Sequence, residues 1–145
     1  MTARGRILGV DWGLRRIGLA ISDASGTLAR PLRTLRVSGF PDALAQVAAE
    51  TARLSEDEDG LAGVVVGLPR RLDGTPTAET PQVEAFVAAL RERIRVPIVL
   101  QDERLSSQEA ESRLAVGERD WRARKARLDA AAAAVILQDY LDRRA

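Results

Sequence analysis

Three acidic residues that are far apart in the sequence, Asp11, Glu103 and Asp129, are the candidates for chemistry in this chain. Carboxylates gathered in one place need a cation, because two unit charges about 4 Å apart repel by roughly 4 kcal/mol at an effective dielectric of about 20. With oxygen ligands alone the natural cation is Mg²⁺ or Mn²⁺. Such ions on carboxylates promote in-line attack of water on a phosphodiester.

The composition excludes most other catalysts. The 145 residues include no cysteine and no histidine, which excludes thiol nucleophiles, disulfides, imidazole bases and the ligands that zinc favours. No apolar stretch approaches the roughly 18 residues that cross a membrane, so we expect a cytoplasmic protein with no membrane partner. The length fits a single domain over residues 1–145.

The acids can meet only if the fold brings their elements together, and the pattern predicts an α/β fold with a mixed five-stranded sheet. Three strands joined by short turns form an antiparallel meander, over 6–12, 16–22 and 28–37. Two buried strands, 61–69 and 96–103, alternate with helices over 41–54 and 81–94, which makes this part of the sheet parallel. Helices are expected to flank the sheet.

The C-terminal part is predicted to be helical with a basic loop in it. Ser106 and Glu109 form a capping box that begins one helix, residues 117–127 form an irregular basic loop, and a last helix begins at Asp129. Its residues 132, 133, 136 and 140 share a face with Asp129, and that face must cover the sheet. Asp11 and Glu103 fall near strand ends, so all three acids could meet at one edge of the sheet.

Each acid also has a structural alternative. Asp129 could be the N-cap of its helix, Asp11 could close a strand in a turn, and Glu103 could pair with Arg104 at the surface. Asp102 is either an outward partner or an auxiliary ligand. Two further acids lie in turn motifs and are assigned to turns, Asp23 in "SDASG" and Asp73 in "LDGT".

Charge is distributed in blocks. Residues 1–36 carry a net charge of +5, residues 37–60 carry −5 and residues 113–127 carry +4. Basic blocks beside an acidic block suit a protein that offers one face to a polyanion. The alternative is a set of solvated surface arginines.

Four motifs in this order resemble the YqgF/RuvX family, which is described as Holliday junction resolvases and as the pre-16S rRNA nuclease, within the RNase H-like superfamily. The motifs are "GVDWGLRRIGLAISD", "VVVGLPRRLDGT", "QDERLSS" and "LDAAAAAVILQDYL", and the resemblance spans residues 7–141. It implies an RNase H-like fold and hydrolysis that depends on Mg²⁺ or Mn²⁺. The family's catalytic, metal-binding acids carry over onto Asp11, Glu103 and Asp129.

The implied partner is nucleic acid, either pre-rRNA or branched DNA, and symmetric cutting of a junction would require a homodimer. Eight basic residues are the candidates to bind it: Arg15, Arg16, Arg70, Arg71, Arg104, Arg122, Arg124 and Lys125. Trp121 could stack on a base or anchor the loop. The chain departs from the family pattern at Arg71, where Asn is usual, and at Ala130, where Ser is frequent.

Two other functions fit parts of the sequence. An RNA-binding maturation factor that cleaves nothing would show the same basic segments. The motif "DWGLRRIG" also resembles the phosphate loop of actin-like ATPases and sugar kinases, but those enzymes close two such domains over a nucleotide and 145 residues supply one.

Overall fold

Five strands form a mixed sheet in the computed structural model, which describes residues 5–105 and 121–144. The strands are β1 (Arg6–Asp11), β2 (Arg16–Ser22), β3 (Ala29–Arg36), β4 (Leu61–Arg71) and β5 (Ile98–Leu105). They lie in the order β3-β2-β1-β4-β5. The first three strands pair antiparallel, and β4 pairs parallel with β1 and β5. The predicted mixed sheet is confirmed.

Both acids assigned to turns do stabilise turns. Asp23, between β2 and β3, accepts hydrogen bonds from the hydroxyl of Ser25 and the N–H of Leu28, and these bonds lower its pKa to about 2. Asp73 accepts hydrogen bonds from the hydroxyl and the N–H of Thr75, which lower its pKa. Each carboxylate is held by hydrogen bonds from residues of its own turn, so its role is to stabilise that turn.

Helices cover both faces of the sheet. Helices α1 (Phe40–Glu56) and α2 (Thr80–Arg91) pack on one face, and α3 (Trp121–Arg144) packs on the other. The buried residues of α2 follow the helical period, with Val83, Phe86, Val87 and Leu90 on one side. No helix in the described part of the chain is both long enough and apolar enough to cross a membrane.

The alternation of side chains along β1 directs Asp11 toward α3. Leu8 and Val10 belong to the core under α1 and α2, whereas Ile7 belongs to the core under α3. Gly9 also faces α3, since a Cβ added there would lie 2.8 Å from the Cβ of Leu137. Successive residues of a strand point to opposite faces, so Asp11 lies on the α3 side, at the end of its strand.

The predicted start of the last helix was wrong. Helix α3 begins at Trp121, so residues 121–127 are helical and only the rest of the predicted loop, with the predicted helix at Ser106, lies outside the described residues. The stretch after Trp121 contains Arg, Ala, Lys and Leu but no Gly or Pro, so nothing in it ends a helix. Asp129 therefore lies inside the helix, eight residues past its start, and its interpretation as an N-cap is wrong.

Strand β5 is less buried than its sequence suggested. It lies at the edge of the described sheet, with Ile98 and Gln101 buried and Asp102 and Arg104 exposed. The prediction of a fully buried strand was wrong because β5 has a partner strand on one side only among the described residues. Glu103 is half-buried, on the same side of the strand as Gln101.

Candidate active site

A cavity of about 620 Å³ opens at the edge of the sheet where β1, β4 and β5 end. Asp11, Glu103 and Asp129 all line it. The structure thus brings the three acids that were singled out in the sequence to the wall of one cavity. They come from three elements, β1, β5 and α3, which are distant along the chain.

Asp11 and Glu103 are separated by β4. Neighbouring strands lie about 4.8 Å apart, so the Cα atoms of two residues on strands one removed from each other are on the order of 10 Å apart. On this face of β4, Gly67 lies beside Asp11 and Pro69 is in register with Glu103. Gly67 has no side chain of its own, but the space above it is occupied by the end of Ile136, because an added Cβ there would lie 2.6 Å from the Cδ1 of Ile136 and 3.5 Å from the Cγ of Glu103.

Asp129 is brought to the cavity by the close packing of α3 on the sheet. Gly18 of β2 lies directly beneath it, and a Cβ at Gly18 would overlap the carbonyl oxygen of Asp129. At Gly9 an added Cβ would lie 3.0 Å from the carbonyl oxygen of Ala133. The close approach therefore depends on small residues on both surfaces, the alanines of α3 and these two glycines, and the role of the glycines was not predicted from the sequence. Glycines at alternate positions of adjacent strands are the signal that could have revealed it.

Arg16 and Arg15 have different surroundings although they are consecutive. Arg16 lies two residues before Gly18 on the α3 face, and its Nε is 3.4 Å from Oδ2 of Asp129. The side chains of this pair are 14% and 22% exposed, so the ion pair is partly shielded from water. Arg15 is exposed at the rim of the same cavity. Of the two, Arg15 is the one whose position suits contact with a phosphate backbone.

The donor set of the cavity fits a hard divalent cation, because it offers carboxylate oxygens and no nitrogen or sulfur ligand. Among the described side chains, however, no group of three or more acidic ligands stands close enough together to hold one ion. The width of β4 between Asp11 and Glu103 is sufficient reason for that spacing. The acids surround a shared space without forming a finished coordination shell.

Glu79 is a fourth acid on the cavity wall that the sequence analysis did not single out. It immediately precedes α2, is exposed, and accepts a hydrogen bond from the hydroxyl of Thr77 at 3.1 Å. The next residue, Thr80, donates its hydroxyl to the carbonyl oxygen of Pro69, which fixes the start of α2 to the end of β4. A helix that follows a parallel strand begins at the strand's carboxyl end, and this rule could have identified Glu79.

Of the arginines predicted to bind nucleic acid, two stabilise the turn after β4. Arg70 donates to the carbonyl oxygen of Gly74 at 3.2 Å, and Arg104 donates to that of Leu72 at 2.9 Å. The Nε of Arg104 also lies 3.5 Å from Oδ2 of Asp102, which favours the outward-partner interpretation of Asp102.

The rest of the predicted set lies in two places. Arg71 is the last residue of β4 and is exposed at the same edge, whereas Ala130, the other departure from the family pattern, is a buried residue of α3. The remaining basic residues, Arg122, Arg124 and Lys125, lie in the first turns of α3. At 1.5 Å per residue, the helix extends on the order of 12 Å beyond Asp129. Arg36, which was not among the predicted residues, pairs with Arg16 across β2 and β3 at the same edge.

A family model and individual relatives both match this chain over nearly its full length. The family model described as "RuvX: Holliday junction resolvase" matches residues 5–143. A protein of Anaeromyxobacter dehalogenans (strain 2CP-C) with the provisional name pre-16S rRNA nuclease is 45% identical over 140 residues, covering 97% of this chain and 98% of the relative. A protein of Geobacillus thermodenitrificans with the same provisional name is 39% identical and covers 94% of this chain and 97% of its own length.

Two solved structures share the fold at low sequence identity. The structure of RuvC from Thermus thermophilus aligns with a TM-score of 0.50 and 16% identity, covering 96% of this chain and 95% of that one. The fowlpox virus Holliday junction resolvase aligns with a TM-score of 0.50 and 13% identity, covering 97% and 99%. The expected RNase H-like fold is therefore confirmed, and it is of the type that RuvC has.

Proposed function

This chain belongs to the RuvX family, and from that premise we propose that it is an endonuclease that uses Mg²⁺ or Mn²⁺ to hydrolyse phosphodiester bonds in structured nucleic acid. The observation that supports this most is the shared cavity of Asp11, Glu103 and Asp129 at the carboxyl edge of the sheet. These residues would be both the catalytic residues and the metal ligands. Family names that refer to nucleases support a hydrolase acting on nucleic acid.

In the proposed reaction the acids would hold the metal ion and the arginines would hold the substrate. A bound divalent ion would lower the pKa of water and offset the charge of the phosphate. Asp11 and Glu103 would turn inward over β4, and the flexible end of Ile136 above Gly67 would have to rotate aside to admit them. Arg16 compensates the charge of Asp129 at 3.4 Å, so Asp129 would exchange this partner in part for the ion. Arg15 and Arg71, both exposed at this edge, would hold the backbone of the substrate.

Divalent metal is expected to stabilise the fold. An ion that binds the native cavity and only weakly the unfolded chain raises the free energy of unfolding, by about 2.7 kcal/mol when its concentration is a hundred times its dissociation constant. Thermal melts with EDTA and with Mn²⁺ should therefore differ in midpoint for the wild-type chain. The variant Asp11→Asn should show a much smaller difference. Identical wild-type midpoints at every metal concentration would contradict a metal site.

Arg15→Ala is expected to weaken the binding of nucleic acid of any sequence and to reduce the slope of log affinity against log salt by about one, because one phosphate contact and its counterion release are lost. Arg30→Ala is the matched control. Arg30 is also an exposed arginine, but it pairs with Ile21 near the opposite end of β2. Fluorescence anisotropy over a salt series measures both variants, and equal slopes would show that the cavity edge has no special role in binding.

The substrate class is decided by a cleavage panel. Matched RNA and DNA substrates, single-stranded, duplex and branched, are incubated with Mg²⁺, Mn²⁺ or EDTA. Preference for an RNA precursor would identify an rRNA-processing nuclease, and preference for a four-way DNA junction would identify a resolvase. Symmetric cuts in a junction would further require two copies of the chain, which sedimentation would detect.

A second candidate is a ribosome maturation factor that binds RNA without cutting it. It is favoured by the spacing of the acids, since no three of the described acidic side chains form a finished metal-binding group. Binding to RNA with no metal-dependent product on any substrate of the panel would support this candidate and contradict the nuclease.

A further inference from the structure

The cavity lined by Asp11, Glu103 and Asp129 is called the acid cavity below. A second, smaller cavity of about 280 Å³ adjoins it. The two share Trp12, Gly13 and Leu14, the residues that directly follow Asp11. The remainder of the smaller cavity is formed by the starts of α1 and α2, with Phe40 and Ala85 among its lining residues. This cavity is called the side pocket below.

Aromatic rings concentrate at the side pocket. The chain has five aromatic residues in all, and three of them meet here. The rings of Trp12 and Phe40 each lie 6.3 Å, between centroids, from the ring of the fully buried Phe86. Phe40 nevertheless remains 40% exposed and Leu14 remains 65% exposed. The side pocket therefore has apolar, partly aromatic walls that are open to solvent at the rim.

Two polar atoms of residues that line this apolar pocket are unsatisfied. The indole Nε1 of Trp12, a donor, and the amide Oε1 of Gln82, an acceptor, are buried and have no hydrogen-bond partner among the described residues. Burying a donor or an acceptor without a partner is costly, and native structures rarely leave one so. A ligand that satisfies both atoms would be flat and apolar on its faces, would carry an acceptor and a donor on its edge, and would require small rotations of the Trp12 and Gln82 side chains toward the pocket.

We propose that the side pocket binds one unpaired nucleobase of the substrate, next to the phosphate that lies in the acid cavity. The proposal rests on the proposed function, because it assumes that the acid cavity holds a nucleic acid backbone. Every nucleobase has apolar faces for contact with Trp12 and Phe40 and edge groups for Nε1 and Oε1. A sugar would need more hydrogen-bonding partners than this pocket supplies.

The pocket gives the chain a reason to prefer nucleic acid with an unstacked base. A base in a continuous duplex is held by pairing and stacking and would have to be extruded at a cost of a few kcal/mol. A base in a single-stranded segment, a bulge or the centre of a branch is already available. The expected preference is therefore for a bond that lies beside an unpaired nucleotide.

Ala85→Phe tests the proposal by filling the pocket from its exposed rim. Binding is measured by anisotropy in EDTA, so that no cleavage occurs, with a single-stranded oligonucleotide and with a fully paired, blunt-ended duplex of the same sequence. The variant is expected to bind the single strand about tenfold more weakly and the duplex as the wild type does, because one stacked base is lost. Trp12→Phe, which keeps a ring and removes the donor, should weaken the binding of the single strand about fivefold.

Ala24→Phe is the matched control. Ala24 is an exposed alanine in the turn between β2 and β3, and its variant should bind both probes as the wild type does. Equal effects of Ala85→Phe on both probes, or no effect on either with the folded spectrum retained, would overturn the side-pocket proposal and leave the proposed function standing. A wild-type chain that binds neither probe would overturn both.

Discussion

Asp11→Asn, Glu103→Gln and Asp129→Asn are each expected to lower the rate of metal-dependent cleavage by at least about a hundredfold. An amide is a much poorer ligand for a hard cation than a carboxylate, and an ion that is misplaced by even a small distance no longer directs water at the phosphorus. Single-turnover cleavage of a labelled substrate in Mg²⁺ measures the effect directly.

Asp102→Asn is the matched control for these variants. Asp102 precedes Glu103 on β5, points to the other face of the strand and lies against Arg104. This variant should cleave at the wild-type rate. All of the amide variants should still bind nucleic acid without metal, because no arginine is changed. Cleavage at the wild-type rate by Asp129→Asn would show that Asp129, the residue that α3 contributes to the site, takes no part in catalysis.

The amide variants should also differ in stability. Asp11→Asn and Glu103→Gln each remove a negative charge from a cavity lined by several acids, so the metal-free protein should be no less stable. Asp129→Asn instead removes the partner of the mostly buried Arg16, and a modest loss of stability is expected.

Gly18→Ala is expected to lower the free energy of unfolding by about 3 kcal/mol. The new methyl group would overlap the backbone carbonyl of Asp129, and a helix backbone can escape only by moving as a unit. Urea denaturation measures the change. Cleavage should fall as well, because the same movement displaces Asp129 from the cavity.

Gly67→Ala is the control that shows whether the loss of stability in Gly18→Ala comes from the contact between α3 and β2. Its methyl group would lie 2.6 Å from the Cδ1 of Ile136, the far end of a flexible side chain that can rotate away. A loss of no more than about 1 kcal/mol is expected. Equal losses for the two variants would indicate a general intolerance of side chains on this face and not a specific contact between α3 and β2.

Local sequence patterns were sufficient to predict the strands of the sheet and how they pair. The apolar runs of β1, β2 and β4 predicted strands, and their connections predicted which pairs are antiparallel and which are parallel. Period-two alternation and the position of Asp11 and Glu103 near strand ends were enough to expect both at one edge. These features depend on neighbouring residues alone, so a single sequence contains them.

The parts that the sequence did not predict depend on contacts between distant elements. Asp129 is an N-cap only if the basic stretch before it is a loop, and the residues of that stretch favour a helix that begins earlier, at Trp121. The partnership of Arg16 with Asp129 exists only because Gly18 lets α3 lie directly on β2. Glu79 lines the cavity because Thr80 fixes the start of α2 to the end of β4.

A metal-addition measurement on the wild-type chain tests directly whether the chain cleaves nucleic acid with a divalent cation. Protein freed of metal with EDTA is bound to the preferred substrate of the cleavage panel, and product is followed before and after excess Mg²⁺ is added. No product is expected before the addition and single-turnover cleavage is expected after it, with Ca²⁺ in place of Mg²⁺ supporting binding alone. Cleavage at the same rate in EDTA, or no cleavage of any bound substrate with Mg²⁺ or Mn²⁺, would contradict a metal-dependent nuclease.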